Sequence, residues 1–377
     1  MIQAPGLAFT ALSFLLVIGP LVFVHELGHY VVARWCGVKA EVFSIGFGRE
    51  LFGWTDRRGT RWKVAWLPLG GYVKFAGDMG PSSAPSREWL SLPAEERART
   101  FQAKALWQRS LIVAAGPVTN LAFAVLLFMG IFATIGYPTK PAIVTAVETG
   151  SAADRAGVQP GDRILSVGGR EIANFPEFAE YVIIRPGEAT DLVVQRGVQR
   201  IAMPIVIGTT TLTDQFKNRS RIGRFGVVAN AITLERLPLA RLPGQALAQT
   251  RDTLEAIVVT LGQLIDGRRS VAELGGPLKM AQYSGQQASL GALPLLWFMA
   301  VISINLGFIN LLPIPMLDGG HLAFYVVEGI RRKPLRPEAQ EWAFRAGLAA
   351  LLMLMIFVTL NDLASFGLWR RLGGLIG

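Results

Sequence analysis

The chain has 377 residues, of which 51% are hydrophobic and 17% charged, with a mean hydropathy of +0.39. A soluble domain carries roughly 25% charged residues, so this balance argues against an ordinary soluble globule and for a membrane protein. The net charge of +10 is spread along the chain with no Lys/Arg run among aromatics, which argues against nucleic acid, and the single Cys36 excludes an intrachain disulfide.

A span needs about 20 apolar residues, and the first such run extends from about Gly6 to Val32. No Lys or Arg precedes Arg34, so the run lacks the positive flank of a secretory signal. Basic residues follow it instead: 34–109 holds 13 Lys/Arg against 7 Asp/Glu. The positive-inside rule therefore puts the N-terminus outside and this loop in the cytoplasm. Within the loop, Glu41–Gly48, Arg61–Trp66 and Gly70–Lys74 alternate β-type runs with glycines and predict small hairpins. Residues 80–100 read as polar loop or helix, broken at Pro81, Pro85 and Pro93.

A second span runs from about Leu111 to Ile135. The 140–207 stretch then reads as a compact α+β module. Ile143–Val147 is a strand, Ser151–Gly157 a short capped helix, and Gly161-Asp162 a turn before the strand Arg163–Val167. A helix near Phe175–Ile184 and two further strands complete it. Residues 244–268 carry Leu247, Leu254, Ile257, Val258, Leu261 and Ile265 at helical spacing. That helix either packs on the module or lies in the membrane interface, and the spacing leaves both readings open. A third span covers about Leu293 to Leu312 and a fourth about Phe344 to Leu363, with a basic loop at Arg331-Arg332-Lys333 between them. Four spans return this loop to the cytoplasmic side, in agreement with its charge.

The chemistry is concentrated in His25-Glu26-Leu27-Gly28-His29, inside the first span. Two histidines four apart share a helix face and can hold one Zn²⁺, and Glu26 beside them suits a general base. Ionisable groups at membrane depth are costly and functional by default. An open zinc site needs a third protein ligand. Asp318 is the best candidate, in Asn310–His321 at the end of the third span, where depth and side match those of His25 and His29. Pro313 and Pro315 break the helix there, and Gly319-Gly320 allow a tight turn. His321 reads as a supporting or structural residue, because a fourth protein ligand would close the site. Asn310 suits substrate binding or interhelical hydrogen bonding equally; for Asn305 and Asn120 interhelical bonding is favoured, with substrate binding the alternative.

These pieces resemble the site-2 protease family of intramembrane metalloproteases, and among them the bacterial regulator-of-sigma-E protease branch. His25–His29 looks like the family's zinc motif, and Asn310–Gly319 like the second motif, whose aspartate supplies the third ligand. Gly70-Gly71-Tyr72-Val73-Lys74 is similar to its membrane-reentrant β-loop, Ala115–Asn120 to its second-span signature, and Leu274–Pro277 also has a counterpart. The 140–207 module looks like a PDZ domain, present once where some members carry two.

The resemblance implies a polytopic α-helical membrane protein with four transmembrane helices, a cytoplasmic-side β-loop and a periplasmic α+β PDZ domain. Its parts would be a membrane core over 1–136 with the β-loop at about 38–76, a PDZ domain over 137–210, a linker and amphipathic helix over 211–292, and a second membrane core over 293–377. Implied too are one Zn²⁺ per chain on His25, His29 and Asp318, with Glu26 as the catalytic base. Asn310, Pro313, Pro315, Gly70, Gly71, Tyr72 and Asn120 would meet substrate. That substrate would be a single-pass membrane protein of the anti-sigma-factor type after a first cleavage, with signal-peptide remnants as a second class. The protein would sit in the bacterial inner membrane, its PDZ domain gating periplasmic ligands or ectodomains and its zinc near the cytoplasmic side. Two rival classes are another membrane zinc protease with a glutamate as third ligand, and a non-catalytic PDZ scaffold.

Overall fold

Among the described residues of the computed structural model, four helices are long and apolar enough to cross a membrane. The structure describes residues 6–77, 93–139, 142–213, 219–229, 233–270, 275–333 and 335–365. The expected loop at Pro81 and Pro85, and Leu274, lie outside the described residues. The chain packs as two units: Met1–Phe128 with Gly276–Leu360, and Met129–Gly275 with Asn361–Gly377.

In the first unit, α1 (Leu7–Trp35) outlasts the expected span by three residues. It stops where Gly37 takes a left-handed φ of 71° and Gly37 and Val38 donate to the carbonyls of Arg34 and Ala33, a glycine-closed C-terminus. The expected small hairpins are one long irregular pair, β1 (Ala40–Thr55) and β2 (Arg61–Phe75). Val42–Ile45 has Gly71–Lys74 on one side and Arg61–Val64 on the other, so register shifts fold the pair back into a small curved sheet. Phe43 is buried between α1 and this sheet; it stacks on Trp62 at 4.2 Å and meets the Tyr30 ring edge-on. Burying a phenylalanine contributes roughly 1.5–3 kcal/mol, enough to dock the sheet on the C-terminal half of α1.

A one-turn α2 (Ala94–Ala98) precedes α3 (Leu106–Ile135), which begins five residues before the expected span. Its polar first turn is held by Gln108, whose Oε1 accepts from the backbone N–H of Ala105 at 3.1 Å. Glycines set how closely the helices approach. A Cβ on Gly28 of α1 would lie 2.6 Å from the carbonyl oxygen of Ala115 in α3. Small residues at such crossings let backbones meet.

The second unit contains the α+β module. β3 (Tyr137–Thr139) and β4 (Ala146–Val147) lead to α4 (Ala152–Arg155), β5 (Arg163–Val167), β6 (Arg170–Glu171) and α5 (Phe175–Ile183). Then come β7 (Ala189–Arg196), β8 (Gln199–Val206), β9 (Gly208–Thr213), β10 (Arg219–Arg224), β11 (Val227–Val228) and β12 (Thr233–Glu235). An antiparallel sheet of order β6-β5-β7-β8 covers a core of Ile164, Val167, Phe178, Leu192 and Val194. The expected boundary at 210 cuts through this packing. Phe225 is buried against Phe178, β11 pairs with β4, and β12 pairs with β3. The module therefore runs on through these strands, which close it by returning beside its first ones.

α6 (Leu242–Ile265) packs on the module through its polar face, while Leu247, Val258 and Ile265 of its apolar spacing are exposed, so both readings of that spacing stay open. Arg170 bridges Asp252 at 2.7 Å and Glu255 at 3.0 Å, Arg185 reaches Glu255 at 3.2 Å, and Gln263 donates to the carbonyl of Ile184.

The first unit resumes with α7 (Pro277–Ser289), a polar helix inside the stretch expected to be linker. It lies along α1 and α8 (Ala292–Leu311), so the second membrane core begins near Gly276 rather than at 293. Its polarity hid it, although Gly276 at the N-cap and Pro277 at the first position mark a helix start. α9 (Asp318–Arg331) and α10 (Pro337–Ser365) follow. α10 starts seven residues before the apolar run, with Pro337 and Glu338 in a polar first turn.

Candidate metal centre

The helix spacing of His25 and His29 does what it must on α1: their Nε2 atoms are 3.2 Å apart. Asp318, the first residue of α9, brings its Oδ2 to 3.1 Å from His25 Nε2 and 3.4 Å from His29 Nε2. The chain reaches that point through a tight break. α8 ends at Leu311, Leu312 is extended, and Met316 adopts a left-handed φ of 82°. Any Cβ on Gly319 or Gly320 would strike the backbone of Leu311–Leu312 or Ile314, so only glycines let α9 start so close to the end of α8.

Three donor atoms of three side chains thus meet, and they suit a zinc ion. Zinc bonds of about 2.0–2.1 Å in a tetrahedral site put ligand atoms roughly 3.3 Å apart, which the three observed separations bracket. His29 Nδ1 lies 2.9 Å from the carbonyl oxygen of Ile112, an acceptor, so Nδ1 carries the proton and Nε2 presents a lone pair. Asp318 Oδ2 is buried without a hydrogen-bond partner. Its short approach to the unprotonated His29 Nε2 is a meeting of lone pairs that a cation would satisfy. Among the described residues, no other group of three or more His, Cys, Asp or Glu converges in this way. His321 is not in the group; its ring packs on Phe344 at 4.8 Å.

Glu26 is buried on the same helix, and the backbone N–H of Val73 is within hydrogen-bonding reach of its carboxylate. Gly71 passes so close that a Cβ there would lie 2.9 Å from Glu26 Cγ and 2.8 Å from Val22. The sheet segment Gly71–Val73 therefore runs past the site. Gly70 has no room beside Phe47, and Tyr72 stacks on Phe47 at 6.1 Å within the hairpin. Asn310 lies half-buried in the last turn of α8. Pro313 is exposed in the break, and Pro315 packs against Gly347 of α10.

Asn120 makes contacts between helices. It is fully buried, with its amide nitrogen 3.1 Å from His25 Nδ1, and its backbone carbonyl accepts from Ser303 Oγ at 2.8 Å. Ile112, Gly116 and Asn120 are the residues that sequence reasoning did not connect to the histidines. They fall every four residues on one face of α3, and that spacing is the signal that was present. Gly116 leaves room for the His29 ring, which any side chain there would displace.

A family profile described as peptidase family M50 matches residues 13–354. The chain belongs to peptidase family M50. A protein of Agrobacterium fabrum whose name marks it as a candidate zinc metalloprotease is 44% identical over 357 residues, covering 93% of this chain and 95% of its own. A similarly named protein of Rhizobium meliloti is 43% identical over 363 residues, covering 95% and 97%. The metalloprotease MmpA of Caulobacter vibrioides is 36% identical over 394 residues, covering 98% and 99%. This M50 chain is a zinc metalloprotease of the intramembrane kind, carried on a multi-pass helical scaffold.

Proposed function

We propose that the chain is an intramembrane zinc endopeptidase that cuts a single-pass membrane protein within or near its transmembrane segment. One observation carries the reading: His25, His29 and Asp318 converge at the spacing of tetrahedral zinc ligands. His25, His29 and Asp318 would hold the zinc, which would supply polarisation of the scissile carbonyl and bring the pKa of the attacking water down to about 7. Glu26 accepts the proton of the attacking water and returns it to the leaving amine, so one water is consumed for each peptide bond broken.

A transmembrane helix hides its backbone, so the substrate must unwind before it is cut. The segment Gly70-Gly71-Tyr72 passes Glu26, which supports capture of the unwound strand by edge addition. Asn310, at the end of α8, would hold the strand on the side of the chain break at Pro313 and Pro315.

The density of basic residues in 34–109 supports an outward N-terminus and a zinc site near the cytoplasmic face of a bacterial inner membrane. The α+β module would then be periplasmic. Its Gly161-Asp162-Arg163-Ile164 signature supports a single PDZ domain that gates substrate ectodomains, as in the regulator-of-sigma-E branch. Substrates would be anti-sigma-type proteins trimmed by a first protease, and signal-peptide remnants.

The test is cleavage of a membrane-anchored reporter by purified protein. Glu26→Gln is expected to keep zinc and lose activity by about 10²–10⁴-fold. Cleavage at the wild-type rate would remove Glu26 from the mechanism.

A further inference from the structure

We propose that Asn120 is a positioning residue that holds His25 as its Nδ1–H tautomer and so leaves Nε2 bare for zinc. The proposal rests on reading His25 as a ligand. Its starting point is a mismatch in hydrogen bonding. The Asn120 amide is completely buried, with its nitrogen turned to His25 Nδ1, while its oxygen has no hydrogen-bond partner. In that orientation an N–H points at Nδ1, which then must be the acceptor, and the imidazole proton moves to Nε2. A protonated Nε2 has no lone pair to offer a metal.

Turning the amide by 180° exchanges two groups of the same shape. The oxygen then accepts from Nδ1–H, and the amide nitrogen takes the position the oxygen held. Nε2 is left with a free lone pair 3.2 Å from that of His29. His29 already has this arrangement by a different route, because Nδ1 faces the carbonyl of Ile112, which can only accept. Both imidazoles are thus oriented from one face of α3, at positions eight residues, or two turns, apart. The Asn120 backbone is tied to α8, since Ser303 donates to its main-chain carbonyl at 2.8 Å. Second hydrogen bonds of this kind fix the tautomer and ring orientation of metal-bound histidines.

The experiment measures zinc affinity of the full-length protein by competition with a chelator, with the melting temperature of the metal-free protein as a separate record of folding. Asn120→Leu and the smaller Asn120→Ala are expected to lower zinc affinity about 10–100-fold. Asn120→Asp keeps the acceptor, loses the donor, and is expected to stay close to wild type. A purely packing role would move the melting temperature and leave Asp no better than Ala. Wild-type affinity in Asn120→Ala, or equal losses in Asn120→Asp and Asn120→Ala, overturns the proposal. His25→Ala is the control: if it binds zinc like wild type, the ligand reading has failed rather than this inference.

Discussion

At the scale of single residues, Gly116 gives one of the ligands the room it needs. The His29 ring occupies the space where a Cβ would be, and Ile112 one turn away accepts from the other side of that ring. Gly116→Ala is therefore expected to push the imidazole off its bond and weaken zinc binding at least about 10-fold, comparable to losing a supporting partner; chelator competition reads this directly. Asp318→Ala is expected to lose most zinc in metal analysis of the purified protein. Full retention would take Asp318 out of the site and restore the rival with a glutamate as third ligand. His25, Glu26 and His29 were legible because one helical turn brings them together whatever the rest of the chain does. Asp318 was legible through the prolines and glycines around it, which announce a broken helix at matching depth. Asn120 was visible as a residue but not as a partner of His25, because a buried amide looks the same whether it faces a helix, a substrate or a ligand.

At the scale of elements, the α+β module is pinned at a buried carboxylate. Asp162 is inaccessible and receives both Nε and a terminal nitrogen of Arg196 at 2.7 Å, while Arg196 also donates to the Gly157 carbonyl at 2.8 Å. The Arg196 hydrogen bonds hold the Asp162 pKa below the ordinary carboxylate value. A carboxyl with a depressed folded-state pKa stabilises the fold above its unfolded pKa, and that contribution is lost as pH falls through the folded value. The module is therefore expected to lose stability in acid below about pH 4, the ordinary range of an aspartate. Asp162→Asn should lower the melting temperature at pH 7 and flatten its fall in acid; an unchanged acid profile would remove the pair from the account. Other elements escaped the sequence for a related reason. α7 carries too little apolar surface to announce a helix in a membrane core, and although α8 follows directly, its other partner α1 is far away in the chain. α6 showed its amphipathic spacing plainly, but only Arg170, Arg185 and Ile184, about 60–100 residues earlier, show what its acidic and amide face is for.

At the scale of the whole molecule, the proposed topology has a direct test. In a Cys36→Ser background, Val198→Cys, on an exposed turn of the α+β module, is expected to react with a membrane-impermeant maleimide in spheroplasts. Arg332→Cys, on the loop between the last two spans, is expected to react only after the membrane is opened. Reversed labelling would invert the orientation and place the zinc at the outer face. By itself the sequence located the four apolar spans to within several residues and singled out the side chains that converge as candidate metal ligands. Those features are local: apolar length, helical spacing and broken helices are written in contiguous residues. Only the tertiary structure decided that Asp318 meets the histidines at zinc spacing, that Ile112 and Asn120 of α3 lie against the two imidazoles, that the β segment passes Glu26, and that the module closes with strands beyond 210. Each of these depends on pairing residues far apart in the chain, and backbone approach at Gly28, Gly116, Gly319 and Gly320 sets that pairing at a precision that hydrophobic pattern does not encode.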